Sequence, residues 1–376
     1  MTISRRKFAQ LLGAGAAAAV ARPALTFAAA PPPLPAGSAV VRLSSNENLF
    51  GPSPKALEAM SDAFGLSCRY PDDESKALVE ALAKFDGVSP GQVLPGGGSG
   101  EILKLCADVL TGPVREGTGG RLVVADPTFE AILYHAKENG AEVVKVPLTS
   151  SYSHDLPKML GAAEKGLVYI CNPNNPTASI TPKKQVREFI EKAPPDTIIL
   201  VDEAYHHYVD SPDYESVIPL VKDHPNLIVA RTFSKIYGMA GLRCGYGVAQ
   251  SYTIERLRAR QSWDSTNLMA LVAARASLSD PEQVQKGRAR NAETRAFTVA
   301  ALEKMGFATI PSQANFIMVD VKRPVVPLRA TLRNQKVEVG RLFRAMPNHL
   351  RVTIGTKEEM EVFLSALRGI TAQATS

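Results

Sequence analysis

The chain has 376 residues, 45% of them hydrophobic and 21% charged, with a formal net charge of +6. This is ordinary globular composition, long enough for one large core and a smaller appended domain. The charge excess is modest and no lysine/arginine block or basic-aromatic interleaving occurs, which excludes nucleic acid as a partner. The excess reads as a solvated surface or a weak attraction for anionic substrates.

Residues 1–30 differ in character from the rest. Ser4-Arg5-Arg6-Lys7-Phe8 is a twin-arginine pattern, followed by Leu11-Leu12-Gly13-Ala14, an alanine-rich run to Ala21, and Ala28-Ala29-Ala30. A charged start, a mildly apolar middle and a small-residue cleavage site predict an export signal read by the twin-arginine translocation machinery, with the periplasm or the exterior as destination. The apolar stretch is too short and too weak for a membrane span, so no stable membrane insertion is expected after cleavage. Residues 31–40 read as a proline-rich linker. The four cysteines, Cys68, Cys106, Cys171 and Cys244, lack CxxC spacing; Cys171 and Cys244 fall in apolar runs and read as free buried thiols.

Beyond the linker, Pro95-Gly96-Gly97-Gly98-Ser99-Gly100-Glu101 precedes apolar residues at helical spacing, Ile102, Leu103, Leu105, Cys106, Val109 and Leu110. A glycine-rich turn that opens a helix offers backbone N–H groups and a positive dipole end to a phosphate. Strand-like runs follow at Leu122–Ala125, Val143–Val146, Leu167–Cys171, Thr197–Val201, Leu227–Ala230 and Gly245–Val248, alternating with amphipathic helical stretches. The pattern predicts an α/β fold with a mostly parallel central sheet flanked by helices. From about Ser251 the pattern changes. A long polar helix candidate, Glu282 to Met305, precedes strand-like segments near 308–319 and 350–356. These predict a smaller α+β domain at 276–376, joined by the segment 41–68, beside a large domain at 69–275.

Four strands run directly into polar residues: Asp126-Pro127-Thr128-Phe129, Asn172 to Thr177, Asp202-Glu203-Ala204-Tyr205, and Arg231 to Lys235. Ligands collect at the carboxyl ends of strands in open α/β sheets. An acid, a phenol, an amide, a lysine and an arginine (Arg243) at such ends are the parts that hold pyridoxal phosphate, with the lysine as Schiff-base partner and the acid facing the pyridinium nitrogen. The six histidines lack metal spacing; His206 and His207 read as packing and hydrogen-bonding residues, and no metal site is expected.

These motifs, in this order, resemble the fold-type I aminotransferases, and within them the histidinol-phosphate aminotransferase group. The likeness spans about residues 41–366. It is carried by Asn46-Glu47-Asn48 with Gly51-Pro52-Ser53-Pro54, Arg69-Tyr70-Pro71-Asp72, Gly98-Ser99-Gly100-Glu101, Asn174-Asn175-Pro176-Thr177, Asp202-Glu203-Ala204-Tyr205, Ser234-Lys235 with Arg243, and Leu350-Arg351-Val352. The resemblance implies that Lys235 forms the Schiff base, Asp202 pairs with the ring nitrogen, and Asn175 and Tyr205 contact the ring 3-oxygen. It further implies that Ser99, Gly100, Ser234 and Arg243 hold the phosphate and that Phe129 stacks on the ring. Tyr70 matches a tyrosine that reaches a neighbouring subunit's cofactor, implying a homodimer. Arg351 matches the arginine that grips the anionic end of the substrate, with Arg341, Asn48 and Asn315 as further substrate residues. Two departures stand out. Ala178 occupies the place of a customary glycine after Asn-Pro-Thr, and Gly100 replaces an acidic residue.

The implied activity is transfer of an amino group between an amino acid, or an amino-phosphate such as histidinol phosphate, and a 2-oxo acid. The ring-holding residues equally serve a decarboxylase, lyase or oxidase, which differ in the Cα bond set perpendicular to the ring. A non-catalytic pyridoxal-phosphate-binding protein is a third reading, opposed by the intact Lys235, Asp202 and Arg351.

Overall fold

Strands and helices alternate along the computed structural model, which describes residues 40–115, 118–163 and 165–373. The expected export signal and all but the last residue of the linker lie outside the described residues. Strand β1 (Val41–Leu43) leads to a helix at Pro54–Ala63, where the Ser53 hydroxyl accepts from the Ala56 N–H and Pro54 occupies the first turn. Helix Asp72–Asp86 has three acids in its first turn and ends on Gly87 in the left-handed conformation (φ +68°). Strand β2 (Val93–Gly96) follows, and helix Ser99–Leu110 starts just beyond it.

β3 (Gly112–Arg115), β4 (Thr118–Asp126), β5 (Val143–Pro147), β6 (Gly166–Cys171), β7 (Thr197–Asp202), β8 (Leu227–Thr232) and β9 (Gly245–Val248) complete an eight-stranded sheet. Its order is β2-β9-β8-β7-β6-β4-β3, with β5 also paired to β4. The pairings from β5 through β4, β6 and β7 to β8 are parallel, whereas β2, β9 and β3 join antiparallel. All six strands predicted from apolar runs are present. β2 lies where the sequence reads as a glycine-rich turn. Pro95 cannot donate to a ladder, and a strand containing it is tolerated because it forms the sheet edge.

Side chains alternate between two cores. Val123, Val168, Ile170, Ile199, Val201 and Val229 face one, while Leu122, Val124, Leu167, Tyr169, Leu200 and Ile228 face the other. Burial on both faces is why these strands read as unbroken apolar runs.

The polar helix expected at 282–305 is Pro281–Lys304. After it come β10 (Ala308–Ile310), β11 (Phe316–Asp320), β12 (Val337–Val339) and β13 (His349–Thr353), with β10-β11-β13 forming an antiparallel sheet. β12 pairs in parallel with β1, Val41 opposite Val337. A third core gathers Leu43, Ile317, Val319, Leu350, Val352 and Phe363. The N-terminal segment therefore contributes β1 to this region, while its helix Pro54–Ala63 packs on helix Leu268–Leu278. Cys106, Cys171 and Cys244 are buried free thiols, and Cys68 is an exposed one. No helix among the described residues is long and apolar enough to cross a membrane.

Residues 44–51 form a strap between β1 and the first helix. It lies so close to the loop after β8 that a Cβ on Gly238 (φ +68°) would stand 2.2 Å from the Gly51 carbonyl oxygen. Gly238→Ala meets a left-handed backbone penalty of about 1–2 kcal/mol and must also displace the strap. Denaturant unfolding is expected to show a loss exceeding that penalty; an unchanged midpoint would contradict the close approach.

Candidate active site

Lys235 sits three residues past the end of β8. Thr232 shapes this turn, its hydroxyl oxygen accepting from the Ser234 N–H (3.0 Å) and its hydroxyl donating to Ser234 Oγ (2.9 Å). Lys235 Nζ points back beneath the strap, donating to the carbonyl oxygens of Asn46 (3.2 Å) and Ser45 (3.5 Å). Burial lowers its amine from 10.5 to about 8, and the nearby Arg351 guanidinium adds to the drop. A much larger fraction of this amine is neutral near pH 7 than for a solvated lysine, the state a nucleophile or base requires.

Asp202 ends β7 and is 2% exposed. Its Oδ1 accepts from the Ala204 N–H (3.0 Å) and its Oδ2 from the Tyr169 hydroxyl (2.8 Å). Burial raises its carboxyl to about 6 despite those bonds. Tyr169 is the single hydroxyl in the apolar run of β6, the only local sign of a polar partner there. Behind Asp202, Arg231 bridges Glu203 (2.8 Å) and Asp86 (2.8 Å), all three buried, so the turn that follows Asp202 is tied to the strand that carries Lys235.

A second group converges on the Tyr205 hydroxyl. Asn175 Nδ2 (3.3 Å) and Asn46 Nδ2 (3.0 Å) both donate to it. Asn175 Oδ1 accepts from Arg351 Nη1 (2.8 Å), and Arg351 Nη2 donates to the Ser44 carbonyl (2.6 Å). Arg351 rises from β13, with its guanidinium 5.7 Å from the Phe316 ring and 5.3 Å from Phe343. Its Nε is buried and lacks a partner. The Arg341 guanidinium lies 4.3 Å from the centroid of the same Phe343 ring and is ion-paired with Glu130. Two guanidiniums near one aromatic ring suit an anion bearing several oxygens.

Two implied substrate residues have their amides engaged with backbone. Asn48 Nδ2 donates to the Ile236 carbonyl (2.8 Å), and Asn315 Nδ2 to the carbonyls of Asn46 (3.1 Å) and Glu47 (3.2 Å). Both hold the strap in place. Phe129 stands partly exposed just past β4, and Tyr70 is 82% exposed on the surface. His207 Nε2 lies 3.3 Å from the Tyr237 hydroxyl, within an aromatic cluster that includes His206.

Helix Ser99–Leu110 begins without a side-chain cap, leaving the Ser99 and Gly100 N–H groups for an external acceptor. Arg243 closes on this turn: a Cβ on Gly98 (φ +91°) would lie 2.5 Å from Arg243 Nη2, and one on Gly245 would lie 2.2 Å from the Ser99 nitrogen. Glu101 fastens the turn, its Oε2 accepting from the Gly97 N–H (2.6 Å) and the Ser265 hydroxyl (2.7 Å). Gly100 has open space where a Cβ would be, so an acidic side chain is not excluded there by crowding. Ala178 is fully buried and left-handed (φ +60°), the conformation that glycine adopts freely. Its N–H donates to the Asn174 carbonyl (2.7 Å) and its carbonyl accepts from the Gln313 N–H (2.8 Å), which hold it there.

The residues fit pyridoxal phosphate. A lysine with a depressed pKa, a buried acid without a cation in direct contact, two amides meeting at a phenol, and a glycine cup with an arginine match the aldehyde, ring nitrogen, ring oxygen and phosphate of that cofactor.

Because Asp202 titrates near 6 in the fold against 3.8 when unfolded, the native state binds its proton more tightly. Its contribution to stability is present below about pH 4 and is lost as pH rises through 6. In cofactor-free protein, Asp202→Asn is expected to raise the melting temperature above wild type at pH 7.5, by up to about 3 kcal/mol in stability, with the gap closing near pH 4. A pH-independent gap would mean that burial of the charge is not its cause.

The model of aminotransferase classes I and II matches residues 38–367. The histidinol-phosphate aminotransferase of Symbiobacterium thermophilum is 40% identical over 332 residues, covering 88% of this chain and 90% of the relative. That of Moorella thermoacetica is 40% identical over 338 residues, covering 89% and 86%. Among solved structures, a putative histidinol-phosphate aminotransferase from Erwinia carotovora atroseptica superposes with a TM-score of 0.84 at 29% identity, covering 89% of this chain and 97% of that one. The Sinorhizobium meliloti histidinol-phosphate aminotransferase, solved with pyridoxal-5'-phosphate, gives 0.80 at 28% identity, covering 88% and 92%. The chain belongs to the class I and II aminotransferases, the fold-type I transaminases that work with pyridoxal phosphate.

Proposed function

We propose that this transaminase acts outside the cytoplasm, as a homodimer, on an amino donor with an anionic end of the histidinol-phosphate or amino-acid type. The observation that carries the substrate class is Arg351, a buried guanidinium with an unpartnered Nε and with Arg341 beside it. The curated relatives' names support an amino-phosphate, and the same guanidinium serves a carboxylate. Dimerisation is supported by Tyr70, which is 82% exposed in this chain. Export is supported by Arg5-Arg6 and the ordered regions behind them. The twin-arginine route carries folded proteins, so a cofactor loaded in the cytoplasm travels inside its holder.

Pyridoxal phosphate, when bound, supplies an aldehyde for the amino group and a cationic ring that takes up electrons. Lys235 holds the cofactor and, as a neutral amine, moves the proton at the substrate Cα. Asp202 would hold the ring nitrogen protonated, the cationic ring in turn favouring its carboxylate. Ser99, Gly100, Ser234 and Arg243 bind the phosphate, Asn175 and Tyr205 direct hydrogen bonds at the ring oxygen, and Arg351 orients the substrate.

The purified protein with cofactor is expected to absorb in the visible region, and Lys235→Ala to lose the borohydride-sensitive band. A panel of donors, histidinol phosphate and aromatic and acidic amino acids among them, is expected to exchange amino groups with a 2-oxo acid. Release of carbon dioxide, ammonia or peroxide in place of exchange would favour other chemistry on the same residues. Replacing Arg5-Arg6 by two lysines should leave the protein in the cytoplasmic fraction; continued appearance in the periplasm would refute the assigned route.

A further inference from the structure

We propose that Asn46 is a positioning residue that aims the Tyr205 hydroxyl proton at the cofactor. The inference rests on the assignment of Tyr205 to the ring 3-oxygen. It starts from the orientation of two amides. Arg351 only donates, so Asn175 turns Oδ1 toward it (2.8 Å) and Nδ2 toward Tyr205 (3.3 Å). Asn46 is oriented by Thr353. The Asn46 backbone N–H donates to Thr353 Oγ1 (2.9 Å), which leaves the threonine hydroxyl hydrogen for Asn46 Oδ1 (3.3 Å). The Asn46 Nδ2 then faces the Tyr205 oxygen (3.0 Å).

The phenol oxygen thus accepts from two amide N–H groups. Its own hydrogen has no acceptor among the described residues and is left for a third direction. With both amides donating to that oxygen, the tyrosine hydroxyl is not spent on an amide carbonyl. Asn46 is itself held hard: it is 1% exposed, adopts a left-handed backbone (φ +54°) that asparagine tolerates, and gives its carbonyl to both Lys235 Nζ (3.2 Å) and Asn315 Nδ2 (3.1 Å). One strap residue therefore touches the lysine through its main chain and the tyrosine through its side chain.

A hydrogen bond donated to the ring 3-oxygen stabilises negative charge there and weakens the hold on the proton of the Lys235 nitrogen. Losing that bond raises the apparent pKa read from the visible absorbance of the bound cofactor. Asn46→Asp puts an acceptor where the donor stood and draws the tyrosine hydrogen away.

The test is a spectral pH titration of the holoenzyme for wild type, Asn46→Asp, Asn46→Ala, Tyr205→Phe and the double variant Asn46→Asp/Tyr205→Phe. The expected result is an upward shift of about one unit for Asn46→Asp, a smaller one for Asn46→Ala, and no further shift from Asn46→Asp once Tyr205 is phenylalanine. The same Asn46→Asp shift in both backgrounds would show a plain charge effect on Lys235 and overturn the inference. So would Asn46 variants that melt earlier yet titrate as wild type. A wild-type protein without the visible band would instead defeat the proposed function itself.

Discussion

A carboxylate kept out of water without a cation against it is the constraint on which the site is built. Asp202 receives one backbone and one phenolic hydrogen bond, and burial still pushes it toward the neutral form. The fold therefore maintains an unfavourable charge that a cation placed against it would relieve. The dipoles around it are in place before any ligand arrives, so little reorganisation is needed when charge develops. The depressed pKa of Lys235 has the same origin, because both groups share one poorly solvated interior.

Three separate parts of the chain meet at this interior. The parallel strands β7 and β8 deliver Asp202 and Lys235 at their carboxyl ends, β13 delivers Arg351 and Thr353, and the strap from β1 closes over both. The strap contributes mainly backbone carbonyls, the groups that a loop cannot bury without donors. Here the donors are Lys235, Arg351 and Asn315, so satisfying the strap and organising the site are one problem. Displacing the strap strips partners from all three at once.

The parts legible in the sequence were those with local signatures. Buried parallel strands appear as short apolar runs; Asp202 follows one directly, and Asn175 and Lys235 lie in the polar segments that end two others. The glycine turn that opens helix Ser99–Leu110 was legible from Gly97, Gly98 and Ser99, and Ala178 from its place after Asn-Pro-Thr. What stayed hidden depends on contacts distant in the chain. Asn46 lies 159 residues from Tyr205 and 307 from Thr353, and nothing near it signals either contact. Tyr169 sat inside a strand that reads as pure core. Asn48 and Asn315 carry donors suited to a substrate, and only the fold reveals that backbone carbonyls take them. β2 was concealed by Pro95 and its glycines, which locally favour a turn.

Arg231, locked between Asp86 and Glu203 beneath the Lys235 turn, gives the molecule a thermal character of its own. Hydration of ions becomes less favourable as temperature rises, so the cost of keeping this triad dry shrinks on warming and grows on cooling. The scaffold under Lys235 is accordingly most burdened in the cold.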